Sequence, residues 1–565
     1  MNRHTLATAL AATLLLAACQ SAKHEAAAPS APPVIFDAPA PTTAMESGQQ
    51  RAMAADAMAR ERVERTAAAA QRAYMPSPPP APPMYAPPPA NTEQYAARTD
   101  NPVQRVSEQP VSTFSVDVDT GSYSNVRRML RRGVRPPADA VRAEEFINYF
   151  RHGHAAPASR DVPFRATIEI APAPWNPKRH LMMVGLKGYD VPKAELPPAN
   201  LVFLVDTSGS MHSEDKLPLL KQAFAALAAQ LRAQDRVSIV AYAGSAGLVL
   251  PPTPGNRQGE IIAALERLQA GGSTNGGEGI TLAYAMARQG FVAGGANRVI
   301  LATDGDFNVG TVDRAALETL VGDQRKSGIA LTTLGFGQGN YNDAMAERLA
   351  DVGDGNHAYI DTVLEARKVL VEEMSATLLT IARDVKVQVE FNPAVVSEYR
   401  LVGYENRMLQ REDFANDRVD AGDIGAGHEV TALYEVTLVG SGAERLPALR
   451  YGATQAQPAR GDELAHLRLR YKRPGEDDSR LIEVPVRRDA IRAEASASMR
   501  FAATVAAFAD ALRGGRNIEG WDWDAIARSA RASRGEDRWG LRAEFAELVE
   551  AGRIATGGDV ARPAD

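Results

Sequence analysis

At 565 residues, with 45% hydrophobic and 23% charged side chains, the chain carries apolar material for three or four ordinary globular domains at roughly 100–200 residues each. A formal net charge of -6, with no run of Lys or Arg that could track phosphates, excludes nucleic-acid binding. The single cysteine, Cys19, excludes an internal disulfide.

Arg3 and His4 precede an apolar stretch from Leu6 to Ala18. A spanning helix needs about 20 residues, so this stretch suits the apolar core of a signal peptide instead. Leu16-Ala17-Ala18-Cys19 resembles a bacterial lipobox, which implies removal of residues 1–18 and lipidation of Cys19. The expected product is held on a membrane of the cell envelope without crossing it. Gln20 stands where an Asp would retain such a protein in the inner membrane, which points to the outer membrane, periplasmic or surface face. Residues 19–104 read as a disordered Ala/Pro-rich tether. Pro76, Pro78, Pro79, Pro80, Pro82, Pro83, Pro87, Pro88 and Pro89 favour extended polyproline at ~3.1 Å per residue. Within it, the Ala/Arg/Glu-rich piece from Ala44 to Tyr74 has helical character but no apolar stripe.

Residues 105–195 read as a small α+β module. Its strands are Ser112–Val118, Phe164–Ile170 and Leu181–Lys187, and its helices Ser122–Arg132 and Arg142–Phe150. Between 196 and 381 buried-type strands alternate with helices. The strands are Leu201–Val205, Arg236–Ala243, Arg298–Ala302, Ala330–Phe336 and His357–Ile360. The helices are Lys216–Gln234, Gly259–Gln269, Glu278–Arg288, Arg314–Lys326, Tyr341–Ala350 and Val363–Leu379. This is the pattern of an α/β fold with a doubly wound, mainly parallel sheet. Residues 382–490 alternate apolar and polar side chains in Val385–Phe391, Tyr399–Tyr404, Glu429–Val439 and Ala465–Tyr471, as a β-sandwich does. Residues 491–565 add helices in which Trp521, Trp523 and Trp539 read as packing residues.

Three stretches of the α/β region carry candidate chemistry. Asp206-Thr207-Ser208-Gly209-Ser210 follows one strand, and Asp304-Gly305-Asp306 follows another. Gly271-Gly272-Ser273-Thr274-Asn275-Gly276 precedes a helix. Ligand sites of open parallel sheets form at the carboxyl ends of strands, where the first two stretches sit. Asp206, Ser208, Ser210, Thr274 and Asp304 offer two carboxylates and three hydroxyls, all hard oxygen donors. Such a set suits Mg²⁺, with Mn²⁺ or Ca²⁺ as alternatives, and lacks the thiolates and paired histidines that zinc prefers.

Asp-x-Ser-x-Ser, a later Thr and a later strand-end Asp resemble the metal-ion-dependent adhesion site of von Willebrand factor A domains. The resemblance implies direct ligation by Ser208 and Ser210. Asp206, Thr274 and Asp304 would ligate directly or through water, the last two exchanging roles as the site changes state. Phe114–Thr120, Pro136-Pro137 and Glu144–Phe150 resemble the amino-terminal region of bacterial von Willebrand factor A lipoproteins of the YfbK-like group. With Cys19 supplying the anchor, and the adhesion-site resemblance and an open coordination position supplying the binding, the expected function is a lipid-anchored envelope protein and not an enzyme, acting in adhesion, assembly or envelope signalling. Its expected ligand is a protein partner whose Asp or Glu carboxylate completes the metal shell.

Two alternatives stand beside it. One is an envelope scaffold with a vestigial metal site. The other is an Mg²⁺-dependent phosphotransferase or hydrolase, since Asp304-x-Asp306 and Asp117-x-Asp119 each end an apolar strand; it needs in addition a Lys or Arg and a third acidic group. An EF-hand reading of Asp304–Ala315 fails at Val309 and Ala315, where Gly and Glu are required. Gly335–Asn340 lacks the third Gly of a dinucleotide loop and reads as a turn and helix cap. No His stands out as a base for Ser208 or Ser210, and His212 is expected to be exposed.

Overall fold

The computed structural model describes residues 48–73, 92–272, 276–305, 314–447 and 461–558. Helix Gly48–Ala73 belongs to a unit of its own, separate from the body that starts at Pro87. Met53, Met58 and Val63 on it are 75%, 73% and 68% exposed. Its described apolar side chains are thus exposed, and it carries i,i+4 ion pairs Arg60–Asp56 (3.2 Å) and Arg65–Glu61 (2.6 Å). Cys19 and the proline run 76–89 lie outside the described residues. Among those described, no helix is long and apolar enough to cross a membrane.

The folded body begins earlier than the boundary expected at residue 104. The Thr92 amide donates to the Gly339 carbonyl (2.8 Å), and the Arg98 guanidinium pairs with Glu347 (2.9 Å) with only 7% of either side chain exposed. Residues 92–104 are drawn in by specific polar partners rather than by apolar periodicity, which is why composition assigned them to the tether.

The α/β region forms a six-stranded sheet in the order His357–Ile360, Ala330–Phe336, Ala296–Thr303, Ala199–Asp206, Arg236–Tyr242, Ala246–Pro254. All neighbours are parallel except the last pair, Arg236–Tyr242 with Ala246–Pro254, which is antiparallel. Strand Ala199–Asp206 is buried at every position, as a central strand covered on both faces must be. On one face Leu220, Phe224 and Leu227 of helix Leu217–Ala228 recur at helical spacing and pack on the sheet, with Phe224 stacked on Phe203 at 4.0 Å. On the other, Ile280, Ala283, Leu317 and Leu349 of helices Gly276–Gln289, Arg314–Lys326 and Asp343–Val352 form a second core. Strand Ala246–Pro254 was not foreseen, because its mixed exposure hides a period. The expected helix Val363–Leu379 is broken into Val363–Arg367, a π turn Lys368–Glu372, and Met374–Leu378. The wider turn lets consecutive Leu370 and Val371 both be buried.

The regions flanking this domain, expected as a separate α+β module (105–195) and a β-sandwich (382–490), share one sandwich. One sheet runs Gln104–Arg105, Val396–Val402, Glu429–Leu438, Asn176–Gly188, Phe164–Ala173. The other joins Val111–Ser115 to Thr380–Phe391, which pairs in turn with Glu463–Lys472, itself paired with Arg480–Arg487. Phe114, Ile170, Met182, Val387, Phe391, Tyr434 and Leu467 meet between the sheets. The amino-terminal helices Gly121–Arg131 and Ala143–Asn148 likewise share a core with Ala497–Leu512, Trp523–Ala532 and Leu541–Ala555. Trp523 is buried in that core, Trp521 packs edge-on against Trp175, and Trp539 remains 44% exposed.

Candidate metal centre

The order of the sheet decides where a site can form. Strand Ala199–Asp206 comes first in the chain and lies between the second strand and the fourth, so the winding reverses between Ala199–Asp206 and Ala296–Thr303. A crevice opens outside the carboxyl ends at such a reversal. Asp206 ends the first of these strands and Asp304 directly follows the other.

Asp206 is fully buried. Its Oδ1 accepts the Ser208 amide (2.8 Å), and its Oδ2 accepts the Tyr242 hydroxyl (3.2 Å) and the Thr303 hydroxyl (3.2 Å). Burial pushes its carboxyl up to about 6, against the hydrogen bonds from Ser208, and the charge of nearby Asp304 adds to the rise. Three donors thus hold the Asp206 carboxylate in place at the end of its strand. Ser208 and Ser210 bring their hydroxyl oxygens within 3.0 Å of each other; Ser208 is buried and Ser210 exposed. Two backbone bonds, Gly209 amide to Gly272 carbonyl (3.1 Å) and Gly271 amide to Thr207 carbonyl (2.8 Å), stitch this loop to the glycines ahead of Thr274. Thr274 itself, like Asp306, lies outside the described residues.

Asp304 is also fully buried, and its partners were not foreseen. The Lys216 ammonium donates to its Oδ2 (2.8 Å) and to Asn340 Oδ1 (3.2 Å), while Asn340 Nδ2 donates to Asp304 Oδ1 (3.1 Å). The three side chains close a ring. Lys216 stands just ahead of helix Leu217–Ala228, where the sequence reading begins that helix and gives the lysine no role. Its aliphatic stem crosses Gly337, at φ +70, where a Cβ would come within 2.2 Å of Lys216 Cε. Gly305 is needed for the same reason of space: its φ is +101, and a Cβ there would sit 2.2 Å from the Asn342 amide nitrogen. The Gly335–Asn340 turn thus reaches the site, a role no motif announced.

The donors present fit a hard cation. Ser208 and Ser210 offer adjoining hydroxyls, Ser208 next to the buried Asp206 carboxylate and Asp206 near the buried Asp304, all hard oxygen donors. Among the described residues no three His, Cys, Asp or Glu gather as a metal cluster, so any ion here would rest on hydroxyls and few carboxylates. His212 is exposed, as expected. Asp117 and Asp119 lie elsewhere: Arg407 binds both (3.0 and 3.4 Å), and Asp119 Oδ1 accepts the His357 amide (2.7 Å). They hold the sandwich to the α/β domain.

Comparison with known proteins agrees with this architecture. The family model described as von Willebrand factor type A domain matches residues 200–373, that described as von Willebrand factor matches 89–183, and that described as Uncharacterized protein YfbK, C-terminal, matches 376–554. The uncharacterized protein YfbK of Escherichia coli (strain K12) is 50% identical over 467 residues, 81% of each chain. The uncharacterized protein sll0103 of Synechocystis is 32% identical over 189 residues, 33% of this chain and 44% of that one. A solved von Willebrand factor type A protein from Catenulispora acidiphila is 16% identical, covers 72% of this chain and 91% of its own, and aligns with a TM-score of 0.38. On the strength of the first of these relatives, the chain belongs to the YfbK family of proteins that carry a von Willebrand factor type A domain.

Proposed function

We propose that this protein is a non-enzymatic interaction module whose α/β domain captures a protein partner through a Mg²⁺ ion at Ser208, Ser210, Asp206, Asp304 and Thr274. A bound dication would supply an electrophilic position for an Asp or Glu carboxylate of that partner. The rest is done by the chain: Ser208 and Ser210 present neutral oxygens that leave the ion's charge uncompensated, and buried Asp206 and Asp304 balance part of it from behind. One observation supports this reading above the others: the paired serine hydroxyls lie at the reversal point of the sheet beside two buried carboxylates. Ion–carboxylate attraction in such a partly desolvated place favours acidic partners and sets orientation.

The geometry also selects the variant that tests it. Asp206→Ala would strip partners from Tyr242, Thr303 and the Ser208 amide, and a fold defect would mask the loss of metal. The double variant Ser208→Ala, Ser210→Ala removes the two paired hydroxyls and leaves Asp206 its bonds from the Ser208 amide, Tyr242 and Thr303. Titration calorimetry with MgCl₂ should show binding by the wild type and at least about a tenfold weaker affinity for the double variant, about 1.4 kcal/mol, with an unchanged melting temperature. Equal affinities would refute the assignment.

The phosphotransferase alternative gains one element from the structure, since Lys216 sits on Asp304. Its third acidic group is not found among the described residues, where Asp117 and Asp119 are committed to Arg407. We further infer anchoring of the chain through a lipid on Cys19 at the outer membrane of a bacterial envelope. On that reading Cys19→Ser should move the protein from detergent-extracted membranes to the soluble fraction, and continued membrane recovery of the variant would exclude the anchor.

A further inference from the structure

The segment Thr92–Tyr95, where the body begins, is bound to the rim of the metal centre. The Thr92 amide and hydroxyl both donate to the Gly339 carbonyl (2.8 and 3.0 Å), and the Gln94 amide donates to the Tyr341 carbonyl (3.0 Å). Gln94 and Asn342 form a parallel β-bridge. In the other direction, Glu93 Oε1 accepts the Gly339 amide (2.9 Å), and the Glu93 carboxylate is held by Arg128 (3.0 Å) and by the Tyr95 hydroxyl (2.8 Å). The incoming chain therefore grips residues 339–342 on both sides of their backbone. Between the gripped residues lies Asn340, whose carboxamide joins Asp304 to Lys216.

This arrangement bears on the metal. Asp304 has one oxygen on an ammonium and the other on an amide donor, so each already uses acceptor capacity that an ion would compete for. A dication at Asp304 would compete with this ring and would meet the positive charge of Lys216. We propose that segment Thr92–Tyr95 is an autoinhibitory strap: while docked, it keeps Asn340 in the ring and lowers the affinity of the centre for Mg²⁺. Asn340 is a positioning residue in this scheme, and the strap acts through it. By thermodynamic reciprocity, occupancy of the centre weakens docking of the strap, and pulling the strap away favours occupancy. The inference rests on the Mg²⁺ reading given above.

The test uses the full chain with three single variants. Glu93→Gln weakens the grip while Arg128 keeps Asn125 Oδ1 as an acceptor (2.7 Å). Gln94→Pro removes the amide donor to Tyr341. Asn340→Ala cuts the ring and leaves the strap docked. Allosteric couplings commonly amount to about 5–150-fold, so calorimetry should show Mg²⁺ bound at least about fivefold more tightly by all three. Hydrogen exchange should quicken at the 339–342 amides of the first two variants without metal. Adding Mg²⁺ to the wild type should quicken exchange at Thr92 and Gln94. Unchanged or weaker affinity in the variants overturns the strap while leaving the metal reading intact. Tight binding by Asn340→Ala with wild-type affinity in both strap variants assigns the effect to the ring alone and also overturns it. Absence of Mg²⁺ binding from the wild type and every variant removes the metal reading and the inference together.

Discussion

Arg142→Ala is expected to lower unfolding stability by about 3–5 kcal/mol, the range for breaking a buried ion pair by removing one partner. The side chain is 1% exposed. It binds Glu145 on the helix Ala143–Asn148 that follows it and Asp343 at the start of helix Asp343–Val352, with Glu347 at 3.6 Å. Truncation leaves these carboxylates facing one another inside the body, and their repulsion and desolvation make up most of the loss. A second consequence follows from the position of Arg142. It joins the helix Ala143–Asn148 that packs on the carboxyl-terminal helices to the α/β domain, so the loss falls on the junction between cores. Denaturant unfolding by tryptophan fluorescence gives the measurement, and Arg142→Ala combined with Asp343→Ala should cost less than the sum of the single changes. Strict additivity, or a loss below about 1 kcal/mol, would show that the pair is not coupled.

The second large effect is one of pH. Among the described residues neither oxygen of the fully buried Glu144 carboxyl has a hydrogen-bond partner, and the Arg98 guanidinium lies 3.8 Å away. Burial, then the charges of Glu405, Asp117 and Glu145, raise it from 4.5 to about 8. The native state therefore keeps a proton that the unfolded chain has released. Below the unfolded value both states are protonated and the group has no effect. As pH rises from about 4.5 to about 8 the unfolded chain gains relative to the native one, and stability falls. Glu144→Gln removes the titration while keeping the shape. The variant should match the wild type near pH 4 and exceed it by on the order of 3 kcal/mol at pH 8.5. Parallel stability curves for the two proteins between these values would contradict the buried, protonated state of Glu144.

What could be read before folding, and what could not, divides along a physical line. Apolar runs such as Leu201–Val205 and Ala330–Phe336 are buried on both faces, so their local composition suffices to mark them as central parallel strands. Asp206, Ser208, Ser210 and Asp304 follow strands in short turns, and their place at the sheet's end comes with the strand itself. Cys19, Thr274 and Asp306 were named from motif and spacing alone and lie outside the described residues. Strand partners are another matter. Thr113 hydrogen-bonds Gln388, 275 residues away, and nothing in the alternation of either strand names the other. The amino- and carboxyl-terminal regions consequently looked like two modules when they are halves of one sandwich.

Polar contacts were harder still. Lys216 has the signature of an ordinary helix-end lysine, and Asn340 that of an ordinary turn residue. Only the winding of the sheet brings both to Asp304, because the three residues come from segments that first meet in the folded state. Thr92–Tyr95 shows the same limit, having no periodicity and every sign of belonging to the proline-rich stretch before it. The sequence by itself determined the α/β domain, its doubly wound order of elements and the oxygen donors of the candidate centre, since these depend on burial pattern and on residues close in the chain. The tertiary structure alone decided the shared sandwich, the lysine and asparagine on Asp304 and the strap across the rim, since these depend on pairings between distant segments whose energies no local pattern carries.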